Sequence, residues 1–351
     1  MEPREYVPAY LEREYLASHE DLTPAACRLV HDEIMRDPTR YATSDHARAL
    51  LSYARVHEGL MFELDRMEEL SDQEFDKRRE RLFADTRAKL REIVAADRLC
   101  VDAQLVNILL ADVPIDACLN DLMQLEDSVR TQLQADPAFS DDAPHFWHED
   151  RLAGITAAER TGTDPTMIGW LHTLEAISQL SLASARYRAA AEYARKVMRA
   201  QGYRNHAVGT VLLALARLED EEGFFAVAQQ ASPQAPGAEQ DEGAGSVEDS
   251  PWYLLGRTLL LYKLGRRKNA RRALKDFAAR CEGGAFFLLN PTYLTPYLPV
   301  RPPVREAWEL SHQAVWEADG IIVDTPDFCA WAASIEGIED ISENFAHQYG
   351  F

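Results

Sequence analysis

The sequence predicts an all-α protein, a stack of helical hairpins with an N-terminal helical cap and a proline-rich C-terminal wrap. Three observations carry that expectation. Nearly every long segment has apolar residues at the 3.6-residue period, and almost none alternates as a strand does. Alanine-sized residues recur in the middle third, at Ala190, Ala228 and Ala270, 38 and 42 positions apart. The long segments also open and close on helix-boundary residues.

Composition sets the class. The chain has 351 residues, 46% of them hydrophobic and 27% charged, as in an ordinary globular protein rather than a disordered tail. Acids outnumber bases 58 to 37, a formal charge of -21. A field of that sign repels phosphate backbones, which argues against a nucleic-acid or anionic-membrane binder. No apolar run approaches the roughly 18 residues needed to cross a bilayer. The opening stretch, MEPREYVPAYLEREYLASHED, lacks the basic start and apolar core of a secretion signal. Five cysteines lie far apart with no C-x-x-C pair, which favours reduced thiols in a cytoplasmic protein over a disulfide or zinc framework.

Residues 1–100 read as a helical region of three or four helices. Thr23 caps a helix with Pro24 at its first position, ending near Asp37-Pro38. Ser44 or Asp45 opens the next, with Ala47, Leu50, Leu51 and Ala54 on one face. Ser71-Asp72 begins a highly charged helix with an apolar seam of Phe75, Leu82, Phe83, Leu90 and Ile93. Its charges suit solvent-facing pairs three and four residues apart. Residues 101–111 and 115–134 form a helix pair broken at Val113-Pro114, and a polar turn region follows at 136–151.

The stretch 101–281 holds the repeats. In the first clear unit, Leu174, Ile177 and Ser178 precede a turn at Ala185-Arg186, then come Tyr187, Ala190, Ala194 and Val197. The second, 208–232, has Leu212, Leu215 and Ala216, a turn at Gly223, then Phe225 and Ala228. The third, 251–281, has Leu254, Thr258 and Leu261, a turn at Gly265, then Ala270, Leu274 and Phe277. A small residue on each helix of a hairpin lets the backbones approach closely, while bulky neighbours fill the gaps. One such hairpin cannot bury its apolar face alone, so hairpins must stack. The acidic, Gly/Pro-rich segment 232–250 is expected to be a mobile loop. Residues 282–351 break the period: FFLLNPTYLTPYLPVRPPVREAW should run extended, with helices at about 304–317 and 326–334 closing the last unit.

The pattern resembles the tetratricopeptide repeat (TPR), whose period is about 34 residues. HFW at 145–147, Met167, the central repeats, LNPTYLTPYL at 289–298 and PDFCAWAAS at 326–334 occur in the order seen in bacterial TPR-type proteins. That group is similar in turn to the suppression-of-tumorigenicity family. The resemblance covers roughly 100 to 334 and implies a TPR-like helical-hairpin solenoid. It carries over no catalytic residue. Arg257, where the repeat usually has an apolar residue, departs from the pattern.

No catalytic or cofactor-binding residue and no metal ligand is assigned, and no cofactor is expected. G-x-G-x-x-G, G-x-x-x-x-G-K and G-x-S-x-G are all missing from the sequence. His145, His148, Glu149 and Asp150 form the densest set of possible ligands and the basis of an alternative, a metal-binding protein or enzyme. Packing anchors (Phe146 and Trp147) in a surface turn account for the same residues.

In hairpin stacks of this kind the first helix of each pair lines a concave face. Helical position puts His172, Glu175, Gln179, Arg217, Asp220, Trp252, Tyr262 and Lys263 there as peptide-groove candidates. Trp252 and Tyr262 serve equally well as residues buried between units. Residues 257–280 carry nine Lys/Arg against one acid, and 301–351 carry two arginines against ten acids. Either the basic face is neutralised within the molecule, or it docks an acidic partner or a second copy in a homodimer. The expected function is a non-enzymatic cytoplasmic scaffold binding a protein or peptide, with no nucleic acid and no membrane as partner; a structural self-assembling protein is the remaining alternative.

Overall fold

In the computed structural model the chain is described except at residues 20, 68–69, 153, 204–205, 232–245, 296 and 298–303. Among the described residues it is all-α. The sole strand-like pairing there is an isolated bridge between Phe139 and Trp147. No described helix is long and apolar enough to cross a membrane. The chain divides into two compact units, Met1–Leu174 with Arg199–Asn205, and Glu175–Met198 with His206–Phe351.

The first unit opens with α1 (Pro3–Ala17), α2 (Pro24–Arg36), α3 (Asp45–Asp65) and α4 (Asp72–Ala96). Caps set their starts as the sequence indicates. The Thr23 hydroxyl accepts from the Ala26 amide and Ser44 from Ala47, satisfying donors that a helix N-terminus leaves unpaired. α1 buries Tyr6, Val7, Tyr10 and Leu11 and packs on α2, α3 and α7 (Ala157–Thr163). α4 is wet along most of its length and buries Leu90 and Ile93 near its end. It leads into α5 (Val101–Leu109), and α6 (Ile115–Leu133) packs on α5. The turn region after α6 is anchored by rings. Phe139 and Phe146 each meet Trp170 edge to face, and the Trp147 indole donates to Thr161 at 2.9 Å. α8 (Pro165–Ala183) starts in this unit and ends in the second.

The second unit contains α9 (Tyr187–Met198), α10 (Ala207–Arg217), α11 (Glu221–Gln230), α12 (Pro251–Lys263) and α13 (Arg267–Arg280). It ends with α14 (Gly284–Leu289), α15 (Ala307–Val323), α16 (Phe328–Ala333) and α17 (Ile338–Tyr349). Three hairpins, α8–α9, α10–α11 and α12–α13, turn in the same way. Each places one residue in the left-handed region, Ala185 (φ 60°), Glu219 (φ 59°) and Gly265 (φ 72°). In each the next amide reaches back five residues, Arg186 to Ser181, Asp220 to Leu215 and Arg266 to Leu261, at 2.7, 3.1 and 3.0 Å. This is the hydrogen-bonded helix end that closes orphan carbonyls.

The common turn corrects two readings of the sequence. The second turn is at Glu219, not Gly223. Gly223 lies inside α11, where its amide donates to the capping Asp220 carboxylate at 2.9 Å. Counted from the turns, Ala190 and Ala270 are equivalent and Phe224, not Ala228, is their counterpart; Ala228 matches Ala194 and Leu274. Phe224 is fully buried, and space for its ring comes from Gly256 on α12, where an added Cβ would lie 3.1 Å from the ring. Where small residues do face each other, the Ser178 hydroxyl donates to the Ala190 carbonyl at 2.9 Å.

The C-terminal part also differs from expectation. Residues 284–289 are helical and Pro291–Tyr293 form a 3-10 turn, so the stretch from Phe286 is not extended throughout. Burial of Phe286 and Phe287 among Trp308, Phe345 and Phe351 supplies the driving force. α15 runs to Val323, and α17 is an additional helix. Most of the expected acidic loop lies outside the described residues. Its end is ordered, with a 3-10 turn at Val247–Asp249 and Ser250 capping α12.

Candidate functional site

The first helices of the second and third hairpins, α10 and α12, do not carry an open groove. α15 packs against both. Trp252 is buried: its indole stacks on His206 and donates to the Glu317 carboxylate of α15 at 2.8 Å. Tyr262 is buried against Phe328 and Trp331, with its hydroxyl donating to the Pro326 carbonyl at 3.2 Å. Arg217 pairs with Asp324 at 3.2 Å and lies over the Tyr187 ring. The structure thus covers Arg217, Trp252 and Tyr262, each at a separate point, with residues 317–331 of the same chain.

The remaining groove candidates divide. Lys263 pairs with Glu219 at 3.4 Å, and Asp220 caps α11. Glu175 and Gln179 are half-buried on the second part of α8. His172 belongs to the first unit. There its Nδ1 lies 2.9 Å from the Asp102 carboxylate, whose other oxygen accepts from the Tyr6 hydroxyl at 2.6 Å. Burial alone would raise the Asp102 carboxyl. The neighbouring His172 and the hydrogen bonds from His172 and Tyr6 outweigh it and hold the group below its ordinary value. Burial lowers His57 in the same cluster, and it lifts the Tyr6 and Tyr53 hydroxyls well above theirs. With its lone pairs occupied from two helices, Asp102 serves as a satisfied buried anion tying α1 and α8 to α5.

The His145–Asp150 segment is held by packing. Phe146 and Trp147 are fully buried, and His145 Nδ1 sits 2.8 Å from the Arg199 carbonyl. Glu149 and Asp150 are exposed on a 3-10 turn. Among the described residues no three His, Cys, Asp or Glu side chains are grouped to hold a metal ion.

Comparison of the chain with protein-family models, curated proteins and solved structures finds no match.

The basic segment 257–280 resolves into two sets. Five of its nine cations are engaged by neighbours. Arg257 meets Asp276 at 4.0 Å, Lys263 meets Glu219, Arg266 meets Glu221 at 2.8 Å, and Arg280 meets Asp249. Arg267 lies over the Tyr262 ring at 3.4 Å. The acids involved come from 219–221, 249 and 276, and none from 301–351. The other four, Lys268, Arg271, Arg272 and Lys275, are exposed and form no ion pair among the described residues. At intervals of three, one and three residues they share one face of α13. Helical spacing places them together in the sequence; which cations stay unpaired depends on acids tens of residues away.

Proposed function

We propose that the chain is a TPR-like helical-hairpin solenoid protein, a non-enzymatic scaffold that docks a short acidic segment of a partner protein on the exposed face of α13. Three hairpins with one turn geometry, the first two turn residues 34 positions apart, support the repeat assignment. The observation that carries the function is the four-cation stripe of Lys268, Arg271, Arg272 and Lys275, exposed and without an ion pair among the described residues, in a chain of net charge -21. At a rise of about 1.5 Å per residue the stripe is only about 10 Å long. A nucleic-acid backbone would extend far beyond it along a chain of net charge -21, which repels a polyanion, whereas a few acidic side chains fit within it. The face of α10 and α12 is filled by α15, so the outer helix is the accessible one.

The test is a fluorescence anisotropy titration with a labelled deca-glutamate peptide and with a single-stranded oligonucleotide. Four exposed charge pairs at about 0.5 kcal/mol each give about 2 kcal/mol, or roughly 30-fold in affinity. Replacing Lys268, Arg271, Arg272 and Lys275 together by Gln should remove that and leave helicity intact. Equal binding by the variant, or tighter binding of the oligonucleotide, overturns the reading.

A further inference from the structure

A cavity of about 280 Å³ opens in the second unit between α14, α15 and the turn leading into α16. Its walls are mostly apolar, among them Leu288, Leu294, Val315, Ile322 and Phe328. Two carboxylates, Asp319 and Asp327, line it, and no Lys, Arg or His does so among the described residues. The volume lies near the lower end of small-molecule sites, and such sites combine apolar walls with a few placed polar groups.

Asp319 is the anomaly. On α15 it falls in line with Val315, Ile322 and Val323, four residues behind and three and four ahead, all of which line the same cavity. That position of an amphipathic helix calls for an apolar side chain. The carboxylate there has no hydrogen bond or ion pair among the described residues, and burial lifts its carboxyl above the ordinary value with no cation to oppose it. Of the other polar lining groups, the Thr325 hydroxyl donates to the Ile321 carbonyl at 2.7 Å and the Cys329 thiol points to the Leu288 carbonyl at 3.8 Å, while Asp327 is exposed to solvent. An anion retained in an apolar wall, beside open volume and without a counter-charge, matches a ligand that brings the charge with it.

We propose that this cavity binds a small apolar molecule bearing a primary ammonium group, with the ammonium on the Asp319 carboxylate and the hydrocarbon against Val315, Ile322 and Phe328. A ligand of the same shape without the charge leaves the carboxylate desolvated and unpaired, and one with a negative charge is repelled by both acids.

The probes are n-hexylamine, hexanol and hexanoate at neutral pH, followed by saturation-transfer NMR and calorimetry on the full chain. Hexylammonium should bind at least tenfold more tightly than hexanol, with hexanoate showing no binding. Asp319→Asn should weaken hexylammonium at least tenfold, while Glu343→Gln, an exposed change on α17, should not. Asp319→Leu supplies a fold control: completing the apolar stripe should raise the unfolding midpoint while binding is lost. Absence of hexylammonium binding at millimolar concentration, equal binding of hexanol, or undiminished binding by the Asn or Leu variant overturns the proposal.

Discussion

Gly209→Ala is the sharpest probe of how α10 and α12 meet. A Cβ built on Gly209 would lie 2.5 Å from Cγ of Trp252 and 2.7 Å from its Cδ1. Carbon atoms in contact prefer about 3.5–4.0 Å, so the indole must move by about 1 Å. It is poorly placed to move, because its Nε1 donates to Glu317 at 2.8 Å and its ring stacks on His206. Overpacking of this kind costs about 1–3 kcal/mol, and loss of a hydrogen bond to a charged acceptor about 1.5–3 kcal/mol. Against this, exchanging Gly for Ala inside a helix gains about 1 kcal/mol. The net expectation is a loss of about 3 kcal/mol. Urea unfolding followed by far-ultraviolet circular dichroism, with hydrogen exchange on α10 and α12 amides to localise the loss, measures it. Gly320→Ala on α15, where an added Cβ meets nothing within 4 Å, should instead gain about 1 kcal/mol. If Gly209→Ala matches or exceeds the parent in stability, the close approach of α10 and α12 through Trp252 is wrong.

Other substitutions test the turns and the buried network. Ala185→Gly should stabilise by about 1 kcal/mol, because φ 60° strains an alanine, and Gly265→Ala at φ 72° should lose a similar amount; calorimetric melting that moves both in the same direction refutes the shared turn geometry. Asp102→Ala leaves Tyr6 and His172 without their acceptor and should cost about 3–5 kcal/mol, with Tyr6→Phe costing less, as read from urea midpoints. Acidification should destabilise the chain. His57 and His312 are held below their ordinary value by burial, so the unfolded chain takes up protons first as pH falls through about 6.5. Asp102, held low in the fold, adds a further loss below about pH 4 as its unfolded counterpart is protonated. His31 is raised by its hydrogen bond to Glu12 and acts in the opposite sense, but it is largely exposed. A urea midpoint that rises between pH 7 and 5.5 contradicts this account.

Local signals made the helices legible, and long-range contacts decided the sites. Thr23, Ser44 and the break at Val113-Pro114 mark boundaries because cap and proline chemistry acts within a few residues. Gly265 was readable as a turn for the same reason. Glu219 was not, because a glutamate in the left-handed region carries no sequence mark, while Gly223 nearby imitates one. α14 was hidden by the prolines that follow it and is held by rings up to Phe351. Helical spacing put Arg217, Trp252 and Tyr262 on the first helices of their hairpins. What covers them, from Glu317 to Trp331, comes from more than 60 residues further along the chain. Asp319 left one signal, a carboxylate in an apolar stripe, which only its cavity makes meaningful.

The seat of α15 on α10 and α12 has a consequence for how the protein can be cut. A protease nick ahead of Ala307 followed by departure of the C-terminal fragment would bare the indole of Trp252 and the phenol of Tyr262 to water at once. The remnant would be adhesive, and limited digestion should end in the intact molecule or a precipitate rather than a trimmed, well-behaved array.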